Sequence, residues 1–481
     1  MQLLSDEIKG YLANSSWIRR MFEAGMELKK KYGEDAVCDF SLGNPDLPPP
    51  PEVAEALREI AGKAGEPFAI GYMPNAGYMS LREKLAAKVS KEQNCTIPAA
   101  NVIVTCGAAG GLNVFFRAVL TAGDEVIAPS PYFVEYDFYV ANAGGKLVTA
   151  PSKDLTFELD IDSFRKALSE KTRAVILNSP NNPAGVIYKR EELAELGKLI
   201  REQEEKNGKP IFVLSDEPYR FLNFDGVEIP PVMEFFKHAA VIGSFSKNLS
   251  LAGERLGYIA VSPQVENSAE LMAGLIMCNR ILGFVNAPAL GQKILEKCLN
   301  AEVDLDIYRK RRDAMAKVLA DAGAEFTVPR GAFYFFVKSP CEDECKFVDA
   351  LLEEKILAVP GRGFGRPGYI RLTCCVDEKI ILRSAPGFAR AFALFLQYLV
   401  VTLERLFCLL YESLRRCEHI VLGLFPLGRG LCCLLRSDRL HKLNEQGEAR
   451  CKESPKRYNK RLDNCSQCHF LKSPCKIFFC L

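Results

Sequence analysis

The sequence predicts an α/β fold in which a mostly parallel seven-stranded sheet forms a large domain and a smaller α/β domain follows it. Between residues 102 and 261, seven short apolar segments alternate with helical or loop segments. The predicted strands are Val102–Thr105, Glu125–Pro129, Lys146–Ala150, Ala174–Asn178, Ile211–Ser215, Ala240–Ser244 and Gly257–Val261. Such alternation favours a parallel sheet covered by helices, with ligands bound at the carboxyl ends of the strands.

The length and charge of the chain exclude several classes of protein. Its 481 residues suffice for two or more domains, and a net charge of +2 gives no global attraction to nucleic acid. The amino terminus lacks a basic segment followed by an apolar run, so no secretory signal is expected. The cysteines before residue 400 lie singly or in apolar context, which indicates reduced thiols and a cytoplasmic protein.

Composition and pattern divide the chain into four parts. Residues 1–45 are predicted to form a helix and an arm that packs with the small domain, and residues 46–285 to form the large domain. Residues 286–397 are predicted to form the small domain, entered through a long connecting helix over Ala287–Ala322. The last part, residues 398–481, is a basic, cysteine-rich extension that is not expected to belong to the main fold.

The extension differs sharply from the rest of the chain. Residues 401–481 carry 15 Lys and Arg against 8 Asp and Glu, and they hold nine of the 18 cysteines. Cys465, Cys468 and His469 match both a haem-attachment string and a partial set of zinc ligands, but such spacings arise by chance where cysteine is abundant. We therefore predict no metal site and no membrane span, and we interpret the extension as a non-native, frameshifted or fused end.

The surroundings of Lys247 point to chemistry. Ser244 and Ser246 precede it, Arg255 follows it, and an apolar run over residues 239–242 leads into it from a predicted buried strand. The hydroxyls and the guanidinium can hold a dianionic phosphate, and a neighbouring cation lowers the pKa of the amine. A lysine that reacts with an aldehyde must first lose its proton. The alternative is an ordinary surface lysine in a serine-rich turn.

Four further motifs follow predicted strands. A Gly- and Ala-rich turn over residues 105–111 precedes a helix, whose amino terminus favours an anion. Tyr132 ends the next strand and can stack on a planar ring, Asn182 lies in an Asn-Pro turn, and Asp216 and Tyr219 follow the fifth strand. The alternatives are tight packing for the turn, a core aromatic for Tyr132 and a helix cap for Asp216.

Arg371 lies alone in an apolar strand of the predicted small domain. A buried arginine needs an anionic partner, and its planar fork suits a carboxylate. Arg371 is therefore the predicted carboxylate site. For a second carboxylate, Arg280 and Arg362 are candidates without further support.

The strings Ser-Phe-Ser-Lys at residues 244–247 and Gly-Glu-Arg-Leu-Gly at residues 253–257 resemble the cofactor-lysine signature of class I and II aminotransferases. Members of this family are fold type I enzymes that depend on pyridoxal 5′-phosphate. The other motifs occur in the family's order between about residues 40 and 390. The resemblance implies that Lys247 binds the cofactor and is the catalytic residue.

The resemblance also implies which residues bind the cofactor. Asp216 would pair with the ring nitrogen, Tyr132 would stack on the ring, and Asn182 and Tyr219 would hydrogen-bond its phenolic oxygen. Tyr72 would reach the phosphate of a neighbouring subunit's cofactor, which implies a homodimer with shared active sites. The full implied set is Gly107, Ala108, Ala109, Tyr132, Asn182, Asp216, Tyr219, Ser244, Ser246, Lys247, Arg255 and Tyr72.

Three residues are implied to bind the substrate: Gly43, Asn182 and Arg371. In the family the residue matching Arg371 clamps the α-carboxylate of the amino acid, and the backbone at the position of Gly43 closes over it. The substrates would be an L-amino acid and a 2-oxo acid.

The implied reaction is transfer of an amino group between these two substrates by a ping-pong mechanism. A β-lyase acting on cysteine-type substrates and a decarboxylase are alternatives on the same scaffold, because both would keep Lys247 and Asp216. A regulator that binds pyridoxal phosphate would need a basic winged-helix domain before the body, and residues 1–40 are too short for one. Neither nucleic acid nor a membrane is an expected partner.

Overall fold

The structure, a computed structural model, describes residues 3–13 and 17–395. Within these residues the strands are β1 (Cys38–Asp39), β2 (Val102–Cys106), β3 (Glu125–Ser130), β4 (Lys146–Pro151), β5 (Thr172–Asn178), β6 (Phe212–Asp216), β7 (Ala239–Ser244), β8 (Leu256–Val261), β9 (Tyr334–Lys338), β10 (Ile356–Leu357), β11 (Val359–Pro360) and β12 (Tyr369–Thr373). Each of the seven predicted strands is present, with bounds that differ by at most two residues at either end.

Helices connect and cover these strands. They are α1 (Asp6–Ala13), α2 (Trp17–Tyr32), α3 (Pro51–Gly62), α4 (Met79–Glu92), α5 (Gly107–Val119), α6 (Glu135–Asn142), α7 (Ile161–Ala167), α8 (Arg190–Asn207), α9 (Val232–Phe235), α10 (Ser268–Ile281), α11 (Ala289–Cys298), α12 (Leu305–Asp321) and α13 (Glu344–Glu353). The chain is helical again over residues 378–395.

The seven strands β2–β8 form one sheet in the order β2-β8-β7-β6-β5-β3-β4. Six of them run in the same direction, and β8 is antiparallel to both of its neighbours. This arrangement confirms the predicted α/β fold with a mostly parallel sheet. It also fixes the position of the site, because Asn178 at the end of β5 lies beside Asp216 at the end of β6 in the register of the sheet.

Hydrophobic cores cover both faces of the large sheet. Alternate residues of a buried strand point to opposite faces, so Val175 belongs to one core and Ile176 to the other. The first core takes in Leu81 and Leu85 of α4 and Leu196 of α8, and the second takes in residues of α5, α6 and α10. Burial on both faces explains why the central strands are near-continuous apolar runs in the sequence.

A second, smaller set of strands lies later in the chain. Strands β11, β12 and β9 form an antiparallel sheet, in which Arg371 of β12 pairs with Phe336 of β9. Strand β1 pairs in parallel with β10, and this pairing ties the amino-terminal arm to the later part of the chain.

The connecting helix differs from the prediction. The sequence over Ala287–Ala322 predicts one long helix, but the structure has two, α11 and α12, with a break at residues 299–304. Asp304 explains the new start, because its side chain accepts a hydrogen bond from Asp306 N and caps α12. The Asp304 cap therefore starts a second helix, although the apolar pattern of the sequence continues through residues 299–304.

The predictions for the extension at residues 398–481 lie outside the described residues. Among the residues that the structure does describe, no helix is long and apolar enough to cross a membrane.

Candidate active site

Lys247 follows the end of β7 by three residues and is half-buried. Its Nζ donates a hydrogen bond to the carbonyl oxygen of Gly43 over 2.7 Å. Burial lowers the pKa of the Lys247 amine to about 8, against an opposing effect of Cys375 and with a further contribution from the charges of Arg255 and Arg371. A substantial fraction of the amine is therefore neutral in mildly alkaline solution.

The two serines before Lys247 form a hydrogen-bonded pair. Ser244 Oγ donates to Ser246 Oγ over 2.9 Å, and the backbone N of Ser246 donates to Ser244 Oγ over 3.2 Å. Ser244 pairs with Gly257 of β8 in the sheet register. Both hydroxyls are thus fixed where β7 ends and β8 begins.

Arg255 and Gly107 meet beside this pair. Arg255, which precedes β8, has a left-handed backbone with φ 55°. Gly107 has φ 71°, which favours glycine, and a Cβ added there would lie 3.1 Å from Arg255 Nη2, so a larger residue would be strained and would crowd the guanidinium. Gly107 starts α5, and Ala108 and Ala109 complete its first turn. Two hydroxyls, a guanidinium and a helix amino terminus form a suitable site for a phosphate.

Asp216 is buried at the end of β6, and its two oxygens differ. Oδ2 accepts a hydrogen bond from the hydroxyl of Tyr136 over 2.6 Å, whereas Oδ1 has no partner among the described residues. Burial raises the pKa of the Asp216 carboxyl to about 7, although the hydrogen bond from Tyr136 acts in the opposite direction. A cationic N–H at Oδ1 would satisfy the free oxygen and favour the ionised carboxylate.

Asn178 joins two of the predicted residues. Its Nδ2 donates to the backbone oxygen of Asp216 over 2.7 Å, and its Oδ1 accepts from the backbone N of Asn182 over 2.6 Å. The turn that carries Asn182 is therefore fixed to the end of β6. This role had no signal in the sequence beyond the position of Asn178 at a strand end.

Arg371 is buried and lies between two aromatic rings. Its guanidinium carbon is 4.7 Å from the ring centre of Tyr334 and 4.6 Å from that of Phe364. Nη1 donates to Asn182 Oδ1 over 3.2 Å, Nη2 donates to the carbonyl oxygen of Ser41, and Nε has no partner among the described residues. No carboxylate of the described residues pairs with this guanidinium, so it is able to bind a carboxylate of a ligand.

Tyr334 links three of the predicted residues. Its hydroxyl lies 3.2 Å from that of Tyr219, and its ring lies beside Arg371. A Cβ added to Gly43 would lie 1.9 Å from the hydroxyl oxygen of Tyr334, which is far inside contact distance. Gly43 must therefore be glycine for the loop to approach this ring.

Tyr132 and Tyr72 are placed differently from the rest. Tyr132 donates its hydroxyl to Asp137 Oδ2 over 2.7 Å, and its backbone N donates to the carbonyl oxygen of Phe364. Tyr72 is 94% exposed. The stacking role of Tyr132 and the cross-subunit role of Tyr72 both stay predictions.

Most of the predicted residues thus lie at or near the carboxyl edge of the large sheet, connected by the contacts above. The residues predicted from the sequence did not include Tyr136, Asn178, Tyr334 or Phe364. Tyr136 could have been found from its position four residues after Tyr132, on the first turn of a helix that starts beside β3. The other three become visible only when separate segments come together.

Comparison with known proteins agrees with this geometry. The sequence pattern of the family described as "Aminotransferase class I and II" matches residues 35–383. The chain belongs to this family. It is a pyridoxal 5′-phosphate-dependent aminotransferase, which transfers an amino group between an L-amino acid and a 2-oxo acid.

Individual relatives show the extent of the similarity. The chain is 31% identical to the aspartate/prephenate aminotransferase of Thermus thermophilus, over 76% of this chain and 93% of that one. It is 30% identical to aromatic-amino-acid aminotransferase 2 of Thermococcus litoralis, over 77% of this chain and 93% of the other. Among solved structures, an aminotransferase from Eubacterium rectale is 36% identical with a TM-score of 0.79, over 82% of this chain and 100% of that one.

A structure solved with a small ligand is also similar. The aspartate aminotransferase of Thermus thermophilus with maleate has a TM-score of 0.72 and 28% identity, over 81% of this chain and 100% of that one. These similarities confirm the fold type I architecture for the body of the aminotransferase.

The residues present fit pyridoxal phosphate. The group has a phosphate, an aldehyde and a ring nitrogen that binds a proton. The serine pair and Arg255 suit the phosphate, and the partly neutral amine of Lys247 suits the aldehyde. The free Oδ1 of Asp216 suits the protonated ring nitrogen. When bound, the cofactor supplies the electron sink that stabilises negative charge at the substrate Cα.

The lowered pKa of Lys247 gives a test on the cofactor-free protein. We expect the rate of amine modification at Lys247 to rise with pH to a midpoint near 8, because burial disfavours the ammonium form. Peptide mass spectrometry after brief labelling at a series of pH values measures this rate. A midpoint of about 10.4, the pKa of an ordinary lysine, would contradict the environment described here.

The hydrogen bond from Tyr136 to Asp216 gives a second test. In Tyr136→Phe the carboxylate loses a donor, so its pKa rises and a larger fraction is protonated at neutral pH. We expect the acidic limb of the kcat/KM profile to move up by about one pH unit, which corresponds to about 1.4 kcal/mol. Tyr369→Phe is the matched control, because it removes a hydrogen bond of the same 2.6 Å length to Asp154. An equal displacement in both variants would show that Asp216 is not the cause.

Proposed function

We propose that Arg371 binds the amino acid by its carboxylate and that Lys247 is the catalytic residue of the transamination. The observation that carries this proposal is that both side chains donate to one short loop. Arg371 Nη2 donates to the carbonyl oxygen of Ser41, and Lys247 Nζ donates to that of Gly43, two residues later. A substrate whose carboxylate is bound by Arg371 would therefore present its α-carbon close to the amine of Lys247.

Each residue of the proposed site has a defined task. Arg371 binds and orients the α-carboxylate, and Asn182 holds the guanidinium in place through Oδ1. Lys247, as the neutral amine, takes the proton from Cα and returns it later, acting as general base and then as general acid. Asp216 holds a proton on the ring nitrogen through an ion pair. This task requires the carboxylate to be ionised when the cofactor is bound.

The remaining cofactor contacts are proposed from position. Ser244, Ser246 and Arg255, with the first turn of α5, would bind the phosphate. Tyr219 would donate to the phenolic oxygen together with Asn182, and Tyr132 would cover the ring.

The substrates are proposed only as a class. The relatives named above act on aspartate, prephenate and aromatic amino acids by name. Of the two arginines considered for a second carboxylate, Arg362 is paired with Asp343 and Glu344 at 2.7 and 2.9 Å. Arg280 is exposed on α10. A panel of aspartate, phenylalanine and alanine as donors, with 2-oxoglutarate and pyruvate as acceptors, would define the preference.

The role of Arg371 can be tested directly. In Arg371→Leu we expect a large rise in KM for the amino donor, because truncating a buried charged partner costs about 2–5 kcal/mol, or roughly thirtyfold and more in affinity. Arg390→Leu is the control, since it removes an exposed guanidinium that pairs with Glu354. Steady-state kinetics with each donor of the panel measure the effect. An unchanged KM in Arg371→Leu would remove Arg371 from the site.

A homodimer is proposed from an exposed apolar surface. Phe68, Ile70 and Tyr72 lie on one segment, with Phe68 90% exposed, and Met277 and Ile281 lie exposed on α10. Exposed apolar residues that cluster in this way mark an interaction site, and a second copy of the chain would cover them.

Hydrogen bonds hold the two segments together. Asn279 Nδ2 donates to the carbonyl oxygen of Asn75 over 3.0 Å, and Asn75 Nδ2 donates to that of Val285 over 3.0 Å. The loop with Tyr72 is therefore fixed next to the end of α10. A partner docked on this surface would meet Tyr72 first.

Complementation tests the proposed sharing of active sites. Tyr72→Glu would place a carboxylate against the partner's phosphate, and Lys247→Ala would remove the catalytic amine, so we expect each variant alone to be inactive. After unfolding and joint refolding of equal amounts, half of the random dimers contain one intact site, so activity should return to about a quarter of wild type. A mixture that stays inactive while light scattering shows dimers would contradict the sharing.

Cytoplasmic location and domain boundaries also remain proposals. The nine cysteines of the described residues are all free thiols, which suits a reducing compartment. The large sheet lies within residues 102–261 and the three-stranded sheet within residues 334–373, which supports a boundary near residue 286. The pairing of β1 with β10 supports a separate amino-terminal arm that ends near residue 46.

A further inference from the structure

The loop over residues 40–46 carries the two carbonyl groups that contact Lys247 and Arg371, so its position determines the geometry of the site. Residues 42–46 have no regular secondary structure. The amino-terminal end of the loop is held by the backbone, since Phe40 N donates to Leu357 O and Thr373 N donates to Phe40 O. Among the described residues, no backbone hydrogen bonds of this kind hold the carboxyl-terminal end.

Asp46 closes this free end through an ion pair. Arg311 on α12 donates from Nη1 and Nη2 to the two oxygens of Asp46, over 2.7 and 2.9 Å. The side chain of Arg311 is only 8% exposed and that of Asp46 is 36% exposed, so solvent weakens this pair less than it weakens a surface pair. A two-bond contact of this kind fixes direction as well as distance.

Neighbouring groups align the same pair. The guanidinium carbon of Arg311 lies 5.6 Å from the ring centre of Tyr308, one helical turn earlier. Cys375 Sγ lies 3.4 Å from the carbonyl oxygen of Asn44 and 3.8 Å from the hydroxyl of Tyr308. The contacts to Asn44 and Asp46 thus lie on the side of the loop after Gly43, opposite to those at Phe40.

We propose that Arg311 and Asp46 are a positioning pair, which holds residues 40–46 so that the carbonyl of Gly43 reaches Lys247 and that of Ser41 reaches Arg371. Neither side chain contacts the reacting groups. Loss of the pair would leave the thiol of Cys375, which contacts the carbonyl oxygen of Asn44, as the remaining contact on that side of the loop, and would misplace both carbonyl groups. The inference rests on the roles proposed above for Gly43, Lys247 and Arg371.

The chain contains a matched control for this pair. Arg312, the next residue of α12, donates from Nη1 to Asp225 over 2.7 Å, and its side chain is 9% exposed. Asp225 is 39% exposed, which is close to the value for Asp46, but it lies outside the loop and outside the proposed site. Asp46→Asn and Asp225→Asn therefore each remove one carboxylate from an arginine of similar burial, with different consequences for the loop. Arg312 keeps a second partner in Asp313, whose Oδ1 lies 2.8 Å from its Nη2.

The first readout needs no cofactor and no activity. In the cofactor-free chain, we expect Asp46→Asn to speed amide hydrogen exchange over residues 40–46 by about tenfold or more, because local opening of the loop becomes easier. Asp225→Asn should leave this exchange unchanged. Equal exchange in wild type and Asp46→Asn would overturn the proposal, and so would equal acceleration in both variants.

The second readout separates positioning from folding. In the enzyme with its cofactor bound, Asp46→Asn and Arg311→Gln should raise KM for the amino donor by about tenfold, with cofactor affinity unchanged. Arg311→Lys should raise KM less than Arg311→Gln does, because lysine keeps the charge but lacks the two-bond geometry of the guanidinium. If Arg311→Gln does not fold, Asp46→Asn alone decides, since it is nearly isosteric. Unchanged KM despite faster exchange would mean that the loop is held by the pair but does not position the substrate, which would also overturn the proposal.

These outcomes distinguish this inference from the proposed function. If Arg371→Leu leaves KM unchanged while Asp46→Asn still speeds exchange in the loop, the assignment of Arg371 fails and the anchoring by Arg311 stands. If Arg371→Leu raises KM but Asp46→Asn changes neither readout, the site stands and the positioning pair fails.

Discussion

The site depends on the cost of burying ionisable groups without enough partners. Asp216 and Arg371 are buried and Lys247 is half-buried, and the described residues supply each with fewer hydrogen bonds than it can make. Burial disfavours the charged form of every one of them, as the directions of their pKa shifts show. Ligands that bring an aldehyde, a protonated ring nitrogen and a carboxylate would supply the missing partners of all three residues, so burial of these groups favours binding of such ligands.

The large sheet makes this arrangement possible. Parallel strands end at one edge, so Asn178, Asp216 and Ser244 come together although they are far apart in the chain. Cores on both faces hold the strands in a fixed register, and the polar residues occur where the strands end and the cores no longer cover them. The hydrogen-bonded register of the sheet therefore fixes the positions of the reactive groups relative to one another.

Much of this organisation could be predicted from the sequence because it is local. Each strand is a short apolar run, and polar residues after it indicate the site. Lys247, for example, follows two serines and precedes Arg255. The contacts that could not be predicted join residues that are far apart in the sequence. Tyr136 is buried as a core aromatic residue would be, but its hydroxyl donates a hydrogen bond to Asp216, 80 residues later. The approach of Tyr334 to Gly43 likewise needs the two segments to be folded first.

The antiparallel direction of β8 has a consequence for motion. Because β7 and β8 are hydrogen-bonded neighbours, the segment that carries Lys247 leaves and re-enters the same sheet, and Phe245 N donates to Leu256 O where it closes. A segment closed at both ends in this way cannot swing as a lid does. The wall of the site with the lysine is therefore stationary, and any tightening around a substrate has to come from the opposite wall, where residues 40–46 follow β1 and where β12 belongs to the three-stranded sheet.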